Sequence, residues 1–417
     1  MARRKKSAPL TGEVRSVGRG GDGAVETPRG IRWVPGVFPG ERVRIRPEGK
    51  GARLLEVERP HPARRKPPCP VADTCGGCPW MALEPAVQRE LEATWGREMA
   101  ARLGFEGEVP VLADGDEAYR RRARLAWNHR GGATRMGYRL AGSRRLVDVE
   151  RCLVQQPALQ ASWTALRSLA DVLRDSGEIR LYRHGDAAAA LLHADEPQPP
   201  EVYDRLRALV AEGRLAGVGL SIQGGVPATF GETSERYPGP DGEPLDGPPG
   251  GFSQAHDPLS LQLARDAASR ALAFRPERVL ELHAGHGSFT VLLAREAEVT
   301  AVEISQAASD ALRANLEARG LTAKAVAEDA ERYPASFEGY DVVVLDPPRL
   351  GAKGAVERLV AGKARPPVVY VSCDLGTLER DLRALREGGY ELSELRLYDL
   401  FPQTARVEAL AVLTPTP

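Results

Sequence analysis

From Phe252 onward, short apolar runs alternate with stretches long enough for a helix. This alternation restricts the fold more than any other feature of the chain. Strand candidates are Arg278–Leu282, Val299–Val302, Ala323–Val326, Asp341–Leu345, Val368–Ser372 and Val407–Leu413, with helical stretches in the gaps. A strand–helix–strand succession builds a mostly parallel sheet covered on both faces. The expected class is α/β, with an open, Rossmann-like sheet over residues 251–417.

The preceding residues read differently. Residues 11–58 carry short alternations, such as Arg42-Val43-Arg44-Ile45, separated by Gly and Pro turns. They predict a small β-barrel of OB type within residues 1–66. Arg59–Pro70, rich in Pro and Arg, reads as a linker. Between Glu84 and Leu103, apolar Val87, Leu91, Trp95, Met99 and Leu103 recur every fourth residue, as on one side of a helix. This helix is expected to pack on the last domain. Strand-like alternation returns over 119–155 with a hairpin signal at Gly131-Gly132, and 161–245 reads as mixed α and β. These segments form a central α+β domain, residues 67–250. The Pro/Gly-rich stretch Tyr237–Gly251 reads as the boundary before the last domain.

Net charge is zero, but residues 1–66 hold 17 Lys or Arg against 7 Asp or Glu, a local excess of +10. Tyr119–Arg145 holds nine Arg and no acid. Neutral overall with basic zones, the chain suits a polyanion bound at defined places. Arg120, Arg122 and Arg124 are the candidate RNA contacts. No apolar run approaches the roughly 20 residues of a membrane helix, and no apolar segment follows the basic N-terminus. A cytoplasmic protein without membrane attachment is expected.

The five cysteines are Cys69, Cys75, Cys78, Cys152 and Cys373. An odd count argues against a disulfide framework. Cys69-x5-Cys75-Gly-Gly-Cys78 places three thiols around a tight turn, and Cys152 follows the Arg-rich hairpin. Spacing alone permits either a four-thiolate zinc site or an iron–sulfur cluster.

Gly285 and Gly287 follow the first strand of the α/β unit, in a loop that also carries His283 and Ser288. Glycines there allow backbone to approach a ligand. Glu303 ends the second strand, where an acid can hold ribose hydroxyls, and Asp329 and Asp346 end the next two. A dinucleotide site would show a third glycine three residues past Gly287, where Thr290 stands. The pattern resembles a class I S-adenosylmethionine methyltransferase instead. Amine methyltransferases often place an aromatic after Asp-Pro-Pro; Arg349 follows Asp346-Pro-Pro here.

Cys373 lies just past the fifth strand. With Phe252-Ser-Gln254, the Gly285/Gly287 loop, Asp346-Pro-Pro-Arg349, Tyr370-Val-Ser-Cys373 and Asp399-Leu-Phe-Pro-Gln-Thr404 leading to Glu408, the chain resembles the RNA 5-methyluridine methyltransferases. The N-terminal barrel is similar to that family's TRAM domain. The resemblance implies Cys373 as nucleophile and Glu408 as base, with Gln254 and Asp346 positioning base and cofactor. It implies a 4Fe–4S cluster on Cys69, Cys75, Cys78 and Cys152. S-adenosylmethionine is the implied methyl donor and RNA the partner, ribosomal before transfer RNA, acted on by a monomer.

The chain departs from the family pattern at Arg406, Ala409, Asp374-Leu375, His256, His283 and Ser288. These departures leave open a transfer RNA uridine enzyme or an RNA-binding relative with vestigial catalysis. Cytosine C5 methylation also uses a cysteine, but Glu408 in its Phe-Pro-Gln-Thr context disfavours it.

Overall fold

A computed structural model describes residues 8–49, 51–334 and 336–416. The basic tail at Arg3–Lys6 lies outside the described residues.

Strands Leu10–Val17, Asp22–Thr27, Gly30–Pro35, Arg42–Glu48 and Gly51–Arg59 close into a barrel in which the fifth strand lies between the third and fourth. Val14, Val25, Val34, Val43 and Ile45 fill it, and outside the second strand, where Ala24 is also buried, their neighbours are exposed or partly exposed. Gly12 is required by crowding, because a Cβ there would stand 2.2 Å from the Glu26 carbonyl oxygen. The expected linker is instead fastened down. The carboxylate of Glu41, fully buried, accepts from Arg64 at 2.9 Å and from the amide of Phe38 at 2.9 Å. The Arg65 amide donates to the Ala82 carbonyl at 2.9 Å.

The central unit is built on a nine-stranded sheet that includes Arg122–Arg130, Ala133–Arg139, Ser176–His184, Ala187–Ala194 and Gly217–Ile222. Gly131 and Gly132, at φ 61° and 79°, make the turn of its first hairpin. Inward Leu125, Trp127, Ile179, Leu181 and Leu192 pack with residues of helices Pro157–Leu166 and Pro200–Ala211.

The last unit is an eight-stranded sheet. In order across it run Lys324–Val326, Glu298–Val302, Arg278–Leu282, Val342–Leu345, Val368–Ser372, Glu408–Pro415, Tyr390–Tyr398 and Val111–Leu112. The first five are parallel, and Glu408–Pro415 runs antiparallel to both its neighbours. Leu280, Leu282, Val343 and Leu345 face one core, while Val279, Val342 and Val344 face the other. Helices cover both faces, as expected for parallel strands. Strand Tyr390–Tyr398 is not among the expected ones; a bulge between Leu392 and Glu394 breaks its alternation.

Helix Pro85–Arg102 packs against strand Tyr390–Tyr398, and Gly96 allows the close approach, since a Cβ would stand 2.7 Å from Leu397. Its buried side differs from the expected stripe. Trp95 and Met99 are buried together with polar Gln88 and Glu92, whereas Val87 and Leu91 are only partly covered.

The stretch Tyr237–Gly251 is a structured element. Strands Glu235–Pro238 and Pro244–Gly247 form a hairpin held onto the last unit. Arg319 donates to Asp241 at 2.7 and 3.0 Å, Arg295 donates to Asp241 at 2.8 Å, and Asn315 exchanges two bonds with the Asp246 backbone at 2.9 and 2.8 Å. Among the described residues, no helix is long and apolar enough to cross a membrane.

Candidate active site and the four-cysteine hollow

Open α/β sheets bind ligands beyond the carboxyl ends of their strands. Here that edge carries a cavity of about 540 Å³. Cys373, Glu408, Asp346, Gln254, His283, Gly285, Ser288 and Glu303 all line it. Gly287 and Asp329 are not on its wall. Gly287 turns behind it toward Leu312, and Asp329 accepts from the Glu331 amide at 3.0 Å.

The loop after Arg278–Leu282 curls because His283, Gly285 and Gly287 all have positive φ, at 64°, 58° and 98°. The curl brings the Gly285 amide to Glu303, which accepts from it at 3.0 Å and from the Ser305 amide at 2.7 Å. Glu303 is thereby oriented at the cavity edge with further lone pairs free to accept. Thr290, at the position of the missing third glycine, donates at 2.7 Å to Glu281. Glu281 is a wall residue that sequence reasoning missed. Its burial, opposed by that hydrogen bond, pushes the carboxyl up to about 8. A lone acid inside the apolar run Val279–Leu282 was the available signal.

Also at the cavity, Val368–Ser372 delivers Cys373, and helix Leu375–Glu387 begins directly after it. Asp374 caps this helix, accepting from the Gly376 and Thr377 amides, each at 2.9 Å. This departure from the family pattern therefore has a structural use. Burial pushes the Cys373 thiol up to about 12; Glu408 and Asp346 add to the rise and Arg349 opposes it. Burial also raises Glu408 well above the ordinary carboxylate range, again with Asp346 adding and Arg349 opposing. Asp346 is raised to about 7 by its burial, against the pull of His283. Neither oxygen of the fully buried Glu408 has a hydrogen-bond partner among the described residues. In the free protein burial favours the protonated form of both groups. A thiol and a carboxyl in one desolvated pocket are residue types that can supply a nucleophile and, once the carboxyl is ionised, a proton acceptor.

The three candidate RNA arginines lie in different settings. Arg122 donates to the Ser253 carbonyl and hydroxyl, each at 3.1 Å, and to the Gly251 carbonyl. Arg120 donates to the Tyr119 hydroxyl at 3.3 Å and turns toward the cysteines. Arg124 alone is largely exposed, beside Glu178. The residue between the first two, Arg121, was missed. It is buried on the cavity wall, pairs with Asp257 at 2.7 Å and lies 3.5 Å over the Tyr237 ring. Three consecutive arginines hide which one reaches the cavity.

Cys69, Cys75, Cys78 and Cys152 line one small hollow of about 50 Å³, with Arg120 and Tyr138 beside them. Burial pushes the Cys78 thiol up to about 12 and raises Cys75; neighbouring thiols add to both rises and Arg120 opposes them. Among the described residues, no three His, Cys, Asp or Glu side chains form a group able to hold a metal ion. The donor set is nonetheless chemically suited to a thiolate-bound centre, whose binding would displace the thiol protons.

A model of the tRNA (uracil-5-)-methyltransferase family matches residues 251–415. The 23S rRNA (uracil(1939)-C(5))-methyltransferase RlmD of Pseudomonas aeruginosa (strain UCBPP-PA14) is 34% identical over 92% of this chain and 89% of its own. The protein of the same name from Pectobacterium atrosepticum is 30% identical over 98% and 95%. The crystal structure of Pyrococcus abyssi tRNA (uracil-54, C5)-methyltransferase with S-adenosyl-L-homocysteine has a TM-score of 0.76 at 22% identity, over 97% of this chain and 100% of that one.

Proposed function

The chain belongs to the uracil-C5 RNA methyltransferases, and we propose that it methylates C5 of one uridine in 23S ribosomal RNA through a covalent intermediate on Cys373. The observation that carries this reading is Cys373 and Glu408 on the wall of one cavity, with the Gly285 loop and Glu303 on the same wall. The relatives at 30% and 34% identity are ribosomal RNA enzymes by name, which favours that substrate over transfer RNA. Such a substrate puts the enzyme in the cytoplasm, and every residue invoked comes from one chain, so a monomer suffices.

Uracil C5 is a weak nucleophile. Cys373 releases its proton to solvent as its sulfur adds to C6, and the electron pair moves through C5 toward the C4 carbonyl. S-adenosylmethionine, when bound, supplies an electrophilic methyl group, which C5 takes. Glu408, once it too has lost its proton to solvent, removes the C5 proton; the C5–H electron pair forms the C5–C6 double bond, the C6–S bond breaks, and Cys373 leaves as thiolate. Arg349 is the cation that holds both groups below the values burial alone would impose. Glu303, oriented by the Gly285 amide, is suited to the cofactor's ribose, and Gln254 to the base. The uridine must leave its stack to enter the cavity. Arg124, outward on its strand and paired with Glu178, is the one of the three candidate arginines exposed enough to meet RNA phosphates.

Cys69, Cys75, Cys78 and Cys152 would hold a 4Fe–4S cluster. Support for this comes from four thiols around one hollow and the tight turn at Gly76-Gly77. We assign it no step in the reaction.

The test is a denaturing gel with RNA and a methyl-labelled donor. Glu408→Gln is expected to trap a methylated protein–RNA adduct, and wild type should trap one on 5-fluorouridine RNA. Cys373→Ala should give neither adduct nor product. Full activity in Cys373→Ala would refute the covalent route.

A further inference from the structure

We propose that Tyr119 is a positioning residue, holding the segment Phe401–Val407 that delivers Glu408 and tying that segment to the four-cysteine hollow. The inference rests on the reading of Glu408 as the base.

The segment belongs to no helix or strand. Thr404 closes it, with its hydroxyl donating to the Phe401 carbonyl at 2.7 Å, and Gln403 sits at a φ of 70°. A non-glycine residue holds that conformation only where surroundings impose it. Two groups of contacts do so. From helix Pro85–Arg102, buried Gln88 donates to the Gln403 side chain at 2.9 Å and accepts from the Gln403 amide at 3.0 Å. From the other side, the Tyr119 hydroxyl donates to the Pro402 carbonyl at 3.0 Å.

Tyr119 also looks the other way. Its oxygen accepts from Arg120 at 3.3 Å, and Arg120 lines the hollow with Cys78. Its ring stacks on His256 at 4.9 Å, two residues past cavity-lining Gln254. The cysteine segment has a second hold on the same loop. Two residues past Cys78, the Trp80 amide donates to the Gln403 carbonyl at 3.0 Å. Pro402 and Gln403 are thus grasped from the hollow by two routes, and Arg406, just beyond, is on the cavity wall beside Glu408. Removing the hydroxyl loosens the base while leaving Cys373, held at the end of strand Val368–Ser372 by contacts other than Tyr119, in place.

The test uses the protein as purified anaerobically with its metal, comparing wild type with Tyr119→Phe. Nucleophilic addition should survive, with adduct formation on 5-fluorouridine RNA changed less than about twofold. Turnover should fall about fivefold, the equivalent of one neutral hydrogen bond, and methylated adduct should accumulate on ordinary RNA. Hydrogen exchange across 401–407 should rise by a similar factor. Gln88→Met, acting from the other side, should give the same signature. Releasing the metal from wild type with a chelator should raise exchange at 401–407, and do so less in Tyr119→Phe. Unchanged turnover and exchange, or adduct formation falling in parallel with turnover, would overturn the positioning role. Unchanged exchange after metal release, or a chain that holds no metal, would overturn the tie to the hollow. Failure of wild type to form the 5-fluorouridine adduct would instead overturn the functional reading.

Discussion

A thiol held at about 12 should make Cys373 slow toward alkylating reagents in the free enzyme, although it is the nucleophile in the mechanism proposed above. The thiolate is the reactive form. At about pH 8, a thiol of pKa 12 is ionised to roughly one part in ten thousand, against about a quarter for an unperturbed cysteine near 8.5. That difference is about 3.4 decades. A more basic thiolate is also a better nucleophile, and a Brønsted coefficient of about 0.45 returns about 1.6 decades. Iodoacetamide should therefore modify Cys373 roughly fifty- to a hundredfold more slowly than a free thiol. The rate should rise about tenfold per pH unit from about pH 6.5 to about pH 9.5 without a plateau. Arg349→Met should slow it further, because the guanidinium favours the thiolate. The assay is peptide mass spectrometry on metal-loaded protein, following the Cys373 peptide alone so that the other four thiols do not interfere. A plateau below about pH 8.5, or modification at the rate of a free thiol, would show that Cys373 is already activated before substrate binds.

Two further outcomes follow from buried groups. Arg64→Met leaves the Glu41 carboxylate buried without its ion partner; it should cost about 3 kcal/mol, seen as a lower urea midpoint, and adding Glu41→Gln should restore part of the loss, with no restoration refuting the pairing argument. Protein purified anaerobically should be brown and carry about four irons per chain; stoichiometric zinc, or serine replacements at Cys69 and Cys152 that keep full iron content, would remove the cluster assignment.

The parts of this molecule legible in the sequence are those governed by short-range periodicity. Arg42-Val43-Arg44-Ile45 alternates, and in the barrel Val43 and Ile45 are buried while the arginines face out. The strand ends bearing Glu303, Asp346 and Cys373 were legible because each apolar run stops at a polar residue, and all three reach one cavity. Three things were not legible. Side-chain direction within a uniform run was hidden, so Arg121 passed for one more surface cation while Arg120 and Arg122 were taken for RNA contacts. A bulge masked strand Tyr390–Tyr398. Partners distant in sequence were hidden too: nothing local at Gln88 announces Gln403, 315 residues away, so the helix was expected to bury Val87 and Leu91 instead. Asp374 looked like an erosion of the nucleophile motif until its two cap bonds were seen.

The hairpin Glu235–Gly247 bears on how the catalytic unit can be cut from the rest of the chain. A fragment starting at Gly251 matches the family model, yet it lacks the Asp241 side chain that faces Arg295 and Arg319 and the Asp246 backbone that meets Asn315. It also leaves His286, in the Gly285 loop, without the Tyr237 hydroxyl it meets in the longer chain. Such a fragment would carry two stranded cations and an unpaired imidazole on the cavity wall. The smallest transplantable piece therefore starts upstream of Glu235, and its first residues belong to a sheet whose remaining strands lie in the central unit. Severing the chain there opens a raw sheet edge at Arg236, the residue that pairs with His184, so exchange of catalytic modules between relatives should be planned with the hairpin travelling on the catalytic side.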